Sequence, residues 1–213
     1  MDAQDEADPS SWFDRLYVAA DRGEAVVPWD LGTPNPLLAQ WVEGGGLGGR
    51  RPRAVVVGAG YGRDSEYLAS LGLPTSAFDL SPAAVARTRT RFPESSVDYR
   101  TADLLSLPPE LHHAYELVVE SMTVQALPEP ERSRAIHAVP TLVAPGGTLL
   151  VIAFGHDGPA AERDRVAGPP WPLLREDVEA FGDDGLETVR IERFVDDDQG
   201  AVVRWRAELR RPR

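Results

Sequence analysis

The chain contains no cysteine and no lysine, and each absence removes a class of chemistry. Without cysteine there are no disulfides, no thiolate nucleophiles and no cysteine-ligated metals. All 22 basic residues are arginine, so Schiff-base catalysis has no amine to use and a Walker-type phosphate loop lacks its lysine. Acidic residues outnumber basic ones, 34 to 22, for a net charge of -12. Binding a phosphate backbone requires a basic surface, so nucleic acid is not an expected partner. No apolar run is long enough to span a bilayer, and the acidic start Met1-Asp2-Ala3-Gln4-Asp5-Glu6-Ala7-Asp8 lacks the apolar core of a signal peptide. A cytoplasmic protein with no membrane partner is expected. Histidine is scarce too, and none of His112, His113, His137 and His156 has metal-ligand spacing with acids, so no metal is expected. His112 and His113 read as exposed and His137 as structural.

What is present fits one globular domain over residues 1–213, with 42% hydrophobic and 26% charged residues. Residues 1–10 read as disordered, 11–49 as an N-terminal helical cover and linker, and 50–213 as the core. Ser10 or Ser11 is a candidate cap for a helix with Trp12, Phe13, Leu16 and Tyr17 on one face. A Pro/Gly-rich loop follows from Val26 to Pro36. Leu37, Leu38, Trp41 and Val42 then have helical spacing, and Gly44 to Gly49 reads as a flexible connector.

From Ala54 onward, strands alternate with helices. Strands are expected at 54–57, 75–79, 97–101, 115–120 and 147–154, and helices at 64–71, 82–91, 129–142 and 175–181. Pro140 interrupts the third helix. Ser81-Pro82 reads as an N-cap followed by proline at the first helical position. Residues 186–195 and 201–209 alternate apolar and polar, so they form a β-hairpin, with Asp196 to Asp198 in its solvated turn. The pattern gives an α/β, Rossmann-like, doubly wound and mostly parallel sheet with a C-terminal antiparallel hairpin. In such sheets ligands bind at the carboxyl ends of the strands. Gly58, Asp79, Asp103 and Glu120 all fall at or just after strand ends.

The densest signal is Val55-Val56-Val57-Gly58-Ala59-Gly60-Tyr61-Gly62-Arg63-Asp64. A β-branched run ends in three glycines at alternate positions and a helix starts at once, which lets a backbone approach a nucleotide-like ligand. A dinucleotide fingerprint would space its glycines as Gly-x-Gly-x-x-Gly, to seat a pyrophosphate on the helix N-terminus. Here the spacing is Gly-x-Gly-x-Gly, and Asp79 ends the next apolar stretch, where a carboxylate can hold ribose hydroxyls.

These segments resemble the class I S-adenosylmethionine-dependent methyltransferases over about residues 53–154. Val57 to Gly62 is similar to that family's cofactor loop, Phe78 to Val85 to its acidic strand end and following helix, Ala102-Asp103-Leu104 to its adenine-contacting segment, and Leu142 to Leu149 to the turn into its fifth strand. The resemblance implies a seven-stranded sheet whose last strand is antiparallel, S-adenosylmethionine as cofactor, and methyl transfer. Many members carry an acid two positions before the first glycine. Here that position is Val56, and Asp64 follows the loop, as in the thiopurine, thiol and halide methyltransferase group. Pro28 to Pro34 is similar to that group's tryptophan-bearing cover. A small-molecule acceptor is implied, with nitrogen, sulfur or oxygen as the attacking atom, and a monomer or homodimer is expected.

The candidate cofactor residues are Trp29, Gly58, Ala59, Gly60, Tyr61, Gly62, Asp64, Asp79, Leu80, Ala102, Asp103, Leu104 and Glu120. Trp29 sits on the Pro/Gly-rich loop as a lid or as plain core, and an aromatic face suits a sulfonium. Glu120 directly follows Leu117-Val118-Val119. It is a candidate catalytic base or acceptor anchor, with a solvated strand end as the alternative. Ser121, Thr123 and Gln125 add polar groups beside it. Trp29, Met122, His156 and Trp171 are candidate acceptor contacts. Two other functions stay open. A nicotinamide oxidoreductase is disfavoured by the glycine spacing and by the lack of a Tyr-x-x-x-Lys pair. A non-catalytic S-adenosylmethionine-binding protein is compatible with every residue above.

Overall fold

A computed structural model describes residues 9–163, 166, 168–196 and 202–213. Two helices, α1 (Pro9–Asp21) and α2 (Pro36–Glu43), precede the first strand. The core then runs β1 (Ala54–Val57), α3 (Arg63–Ser70), β2 (Thr75–Asp79), α4 (Pro82–Arg91), β3 (Asp98–Thr101), β4 (Tyr115–Ser121), α5 (Glu131–Ala138) and β5 (Val143–His156). After these come α6 (Ala160–Arg163), β6 (Leu173–Leu174), α7 (Arg175–Glu179), β7 (Glu187–Asp196) and β8 (Val202–Arg210).

The strands line up as β3-β2-β1-β4-β5-β8-β7, with the short β6 pairing β5 off this path. β1 to β5 are mutually parallel, and β8 runs antiparallel to both of its neighbours. The reversal between the outward runs β1-β2-β3 and β4-β5 opens a crevice beyond the ends of β1 and β4, where such sheets bind ligands.

Both faces of the sheet are covered, so β1 is apolar at every position instead of alternating. Its side chains still point alternately. Val55 and Val57 enter a core with Ala135, Ile136, Val178 and Phe181, and Ala54 and Val56 enter one with Leu38, Trp41, Leu68 and Val85. α4 starts as its sequence dictates, with Ser81 Oγ accepting from Ala84 N and Pro82 in the first turn. α2 starts the same way, on Asn35 and Pro36.

Several expectations are corrected. Pro9 and Ser10 are already helical, so neither Ser10 nor Ser11 stands before α1, while residues 1–8 of the segment expected to be disordered lie outside the described residues. α5 ends at Ala138, and Pro140 falls in a separate 3-10 turn, Val139–Leu142. β5 starts four residues earlier than its apolar run. Gly44 to Gly49 is a series of hydrogen-bonded turns, not a loose connector: Gly46 N reaches Trp41 O at 2.9 Å, and a Cβ on Gly46 would lie 2.2 Å from the Trp41 ring. The expected hairpin turn past Asp196 lies outside the described residues.

The N-terminal cover is fastened to the far strands. Trp41 Nε1 donates to Glu208 Oε2 at 2.9 Å, and Arg206 Nη1 donates to Leu37 O at 2.9 Å. Arg206 also pairs with Glu192, and Glu208 with Arg190. Both β8 residues are buried, and buried charges persist only when paired in this way.

Candidate active site

At the end of β1 the chain turns through Gly58, Gly60 and Gly62 at φ 60°, 52° and 83°. Such angles strain any residue with a Cβ. Sterics add to this at two of them. A Cβ on Gly58 would lie 2.3 Å from Thr123 Cγ2, and one on Gly62 would lie 2.5 Å from Tyr99 Oη. The backbone of the turn is fixed by its neighbours: Ala59 N donates to Phe78 O at 2.9 Å, and Thr88 Oγ1 donates to Gly60 O at 2.9 Å. Tyr61 lies on its outer side, its ring 5.0 Å from that of Tyr17.

Asp79, buried at the end of β2, faces this turn. Its Oδ2 accepts from Gly60 N at 2.8 Å and its Oδ1 from Ser81 N at 2.9 Å. Burial pushes its carboxyl above the usual range, and the backbone N–H groups oppose that shift. Leu80 follows, half-buried. Beyond β3, Ala102 N donates to Asp79 O at 3.0 Å, and the buried Leu104 joins the core. Asp103 is exposed, and its Oδ1 accepts from Leu105 N at 2.8 Å, capping the turn Leu104–Ser106.

The cover closes over the glycine turn with a residue not singled out for the site. Tyr17 of α1, 3% exposed, accepts from Trp29 Nε1 at 2.9 Å, and its Oη lies 3.1 Å from where a Gly60 Cβ would stand. Burial, then the nearby Asp79 charge, raises its phenol far above the ordinary range. Trp12 and Phe13 complete an aromatic cluster around Trp29. Periodicity placed Tyr17 on the buried face of its helix but gave no sign of what that face would cover.

Asp64 follows the glycine turn. It lies in the first turn of α3, buried, and its Oδ1 accepts from Asn35 N at 2.7 Å. This bond ties core to cover, through a residue 29 positions away that no local pattern flags.

Glu120, at the end of β4, is fully buried, which overturns the solvated-strand-end alternative. Its Oε1 accepts from Thr123 N at 2.7 Å and Val124 N at 3.0 Å, and Oε2 is buried without a partner among the described residues. Burial pushes its carboxyl up to about 7 against the pull of those two N–H groups. Met122 then takes φ 65°, a strained angle for a non-glycine residue. Thr123 Oγ1 donates to Val57 O at 3.0 Å, which seats the segment against the glycine turn.

Gln125 fixes the opposite side. Its Oε1 accepts from Phe154 N at 2.7 Å and its backbone O from Trp171 N at 2.7 Å. These bonds bring Trp171, half-buried under the Arg132 guanidinium, to the ends of β4 and β5. His156 ends β5 there, with Nε2 buried and unpartnered among the described residues. His112 and His113 are exposed, and His137 pairs with Asp184 on the surface. Among the described residues no group of three or more His, Asp or Glu is placed to hold a metal ion, and no helix is long and apolar enough to cross a membrane.

The geometry therefore offers a rigid glycine turn, a buried carboxylate beside it, an aromatic cover above it, and a second carboxylate at the neighbouring strand end. Comparison with known proteins agrees. Residues 54–147 match a methyltransferase domain family. The chain is 29% identical over 158 residues to probable thiol methyltransferase 2 of Arabidopsis thaliana, covering 72% of this chain and 66% of that one. It is 34% identical over 119 residues to the ubiquinone biosynthesis O-methyltransferase of Azotobacter vinelandii, covering 54% and 50%. It thus spans between half and two thirds of these curated relatives. The N-methyltransferase NodS of Bradyrhizobium japonicum, solved with S-adenosyl-L-homocysteine, shares the fold at TM-score 0.69 and 19% identity, covering 96% of this chain and 99% of that one.

Proposed function

The chain carries a class I S-adenosylmethionine-dependent methyltransferase domain, and from that premise we propose that it methylates a nitrogen, sulfur or oxygen atom of a small molecule. One observation carries the proposal. The matched span 54–147 is the span that brings the glycine turn, Asp79 and Glu120 to one edge of the sheet.

The residues fit the cofactor. An ionised carboxylate offers about four lone-pair sites, and the two backbone N–H groups on Asp79 leave room to accept two ribose hydroxyls. The three glycines of the turn Gly58-Ala59-Gly60-Tyr61-Gly62 let its backbone approach the methionine part closely. Leu80, Ala102, Asp103 and Leu104 border the adenine, with the second oxygen of Asp103 free to accept from its amine. Trp29 and Tyr17 cover the sulfonium side. The bound cofactor supplies an activated methyl group on a sulfonium sulfur.

The chain contributes mainly position and the exclusion of water, which suffice for an in-line displacement. Tyr17, Trp29 and Phe13 close one side of the crevice, and Met122, His156 and Trp171 border the other, where the acceptor binds. With its carboxyl near neutrality, Glu120 can take a proton through Oε2 from a hydroxyl acceptor. A thiolate or free amine needs no base, and Glu120 then orients the Met122 segment through Thr123 and Val124. The likeness to a thiol methyltransferase supports sulfur, and that to an O-methyltransferase supports oxygen. We place the protein in the cytoplasm as a monomer or homodimer, in keeping with its acidic composition.

The test is calorimetry with S-adenosylmethionine and S-adenosylhomocysteine, followed by a methyl-release screen over thiols, phenols and amines. Micromolar binding and turnover with one acceptor class are expected. A melting temperature unmoved by either compound overturns the reading. Tight binding without turnover on any acceptor shifts it to a non-catalytic binding protein, and binding of NAD(H) alone shifts it to an oxidoreductase.

A further inference from the structure

We infer that Asn35 is a positioning residue for the transfer, because it ties the aromatic cover to both walls of the crevice. Three bonds converge on it. Its backbone N donates to Asp64 Oδ1 at 2.7 Å, its Oδ1 accepts from Leu37 N at 3.0 Å, and its Nδ2 donates to Ser121 Oγ at 3.1 Å. The residue is 5% exposed; its bonds to Asp64 and Leu37 are buried and that to Ser121 is partly buried, so the three form a network largely withdrawn from solvent.

Each bond reaches a different part of the site. Asp64 lies two residues past Gly62, on the helix that the glycine turn leads into. Ser121 lies between Glu120 and the strained Met122. Asn35 itself closes the loop that carries Trp29. One residue therefore links the wall that holds the cofactor, through its backbone N–H, with the wall that faces the acceptor, through its side chain, and with the lid over both.

A helix cap alone would not call for this arrangement. Capping α2 requires only the acceptor Oδ1, which serine, threonine or aspartate would supply equally well. The donor Nδ2 adds nothing to the cap and is spent entirely on Ser121, 86 residues away. The link makes closure of the cover depend on where the end of β4 stands, so a cofactor held under Trp29 is also registered against the acceptor segment.

The inference rests on the methyl-transfer reading, and the experiment separates the two. S-adenosylhomocysteine binding is measured by calorimetry on the full chain, alongside melting temperature, for Asn35→Ser, Ser121→Ala, the double variant and Ser121→Thr. Serine at position 35 keeps the cap but cannot reach Ser121, and threonine at 121 keeps the hydroxyl. Asn35→Ser and Ser121→Ala are each expected to weaken binding about three- to tenfold, the effect of one buried hydrogen bond. The double variant should be no weaker than either single, Ser121→Thr should bind as the wild type does, and melting should shift little in the Ser121 pair. Unchanged affinity in both singles, or losses that add in the double, overturns the inference while leaving the methyl-transfer reading intact. If Asn35→Ser does not fold, Ser121→Ala against Ser121→Thr decides by the same measure. A wild type that does not bind S-adenosylhomocysteine overturns the methyl-transfer reading, and this inference with it.

Discussion

Gly60 and Asp79 face each other across 2.8 Å, amide to carboxylate, so one residue of the first strand-turn-helix unit is held by the end of the next strand. Replacing Asp79 by alanine leaves the buried N–H groups of Gly60 and Ser81 without partners, at about 1–3 kcal/mol each. Chemical denaturation should show a loss of that order, and calorimetry should show S-adenosylhomocysteine binding weakened at least about tenfold, since charge-assisted bonds to the ligand go too. Asp79→Asn should retain more stability than Asp79→Ala but recover little of the binding, because an amide offers one acceptor oxygen where two are used.

Gly58 tolerates no side chain while Thr123 stands opposite. Gly58→Ala places a Cβ 2.3 Å from Thr123 Cγ2 at a φ of 60°. The left-handed backbone alone costs about 1–2 kcal/mol, with the clash on top. A lower melting temperature and weaker cofactor binding are expected. On a Thr123→Gly background, which itself lacks the bond to Val57 O, Gly58→Ala should cost less than in the wild type, because the steric part is gone and the backbone part remains; melting curves of both singles and the double resolve this.

Glu120 ties stability to pH. Its folded carboxyl titrates near 7, above the ordinary 4.5, so the folded state holds this proton more tightly than the unfolded state does. Stability from this group is therefore full below about pH 4.5, falls as pH rises to about 7, and is flat beyond, by an amount on the order of 3 kcal/mol. Glu120→Gln removes the titration. Between pH 5 and pH 8 the wild type should lose more stability than this variant does. The same variant tests its chemistry: full turnover with a hydroxyl acceptor excludes the base role, while the amide oxygen can still accept from Thr123 and Val124.

Trp29 contributes a ring face and an N–H that can be separated. Trp29→Phe keeps the ring and removes the bond to Tyr17, a loss of about 0.5–1.5 kcal/mol. Trp29→Ala removes both. S-adenosylhomocysteine affinity should fall about threefold or less in the first and about tenfold or more in the second. Equal losses in the two would place the effect in the Tyr17 bond instead of the aromatic face.

How far the sequence alone reaches can be judged residue by residue. The positions of β1, β2 and β4 were legible because strands buried on both faces read as unbroken apolar runs ended by Gly58, Asp79 and Glu120. The start of α4 was legible because a serine cap and a first-turn proline act locally. The bonds of Asp64, Tyr17 and Asn35 were not legible, for the opposite reason. Their partners lie 29, 12 and 86 residues away, and nothing in their immediate surroundings encodes those bonds. Gly44 to Gly49 misled because a glycine run is a loose linker unless something packs on it, and here the packing comes from the Trp41 ring. Glu120 was placed correctly on its strand but not in its burial, which depends on Thr123 and Val124 folding back over it.

β8 follows the other described strands in sequence, yet it lies inside the sheet, between β5 and β7, and it carries two side chains that bind α2. On the ribosome, β1 to β5 emerge first, with β5 left as an open edge. The cover emerges earlier still, and its last ties, from Trp41 and Leu37, form only when Glu208 and Arg206 appear. Completion of the sheet therefore waits for β8, and a nascent chain stalled before it would present a bare strand edge and a half-fastened cover, a substrate for chaperones and proteases.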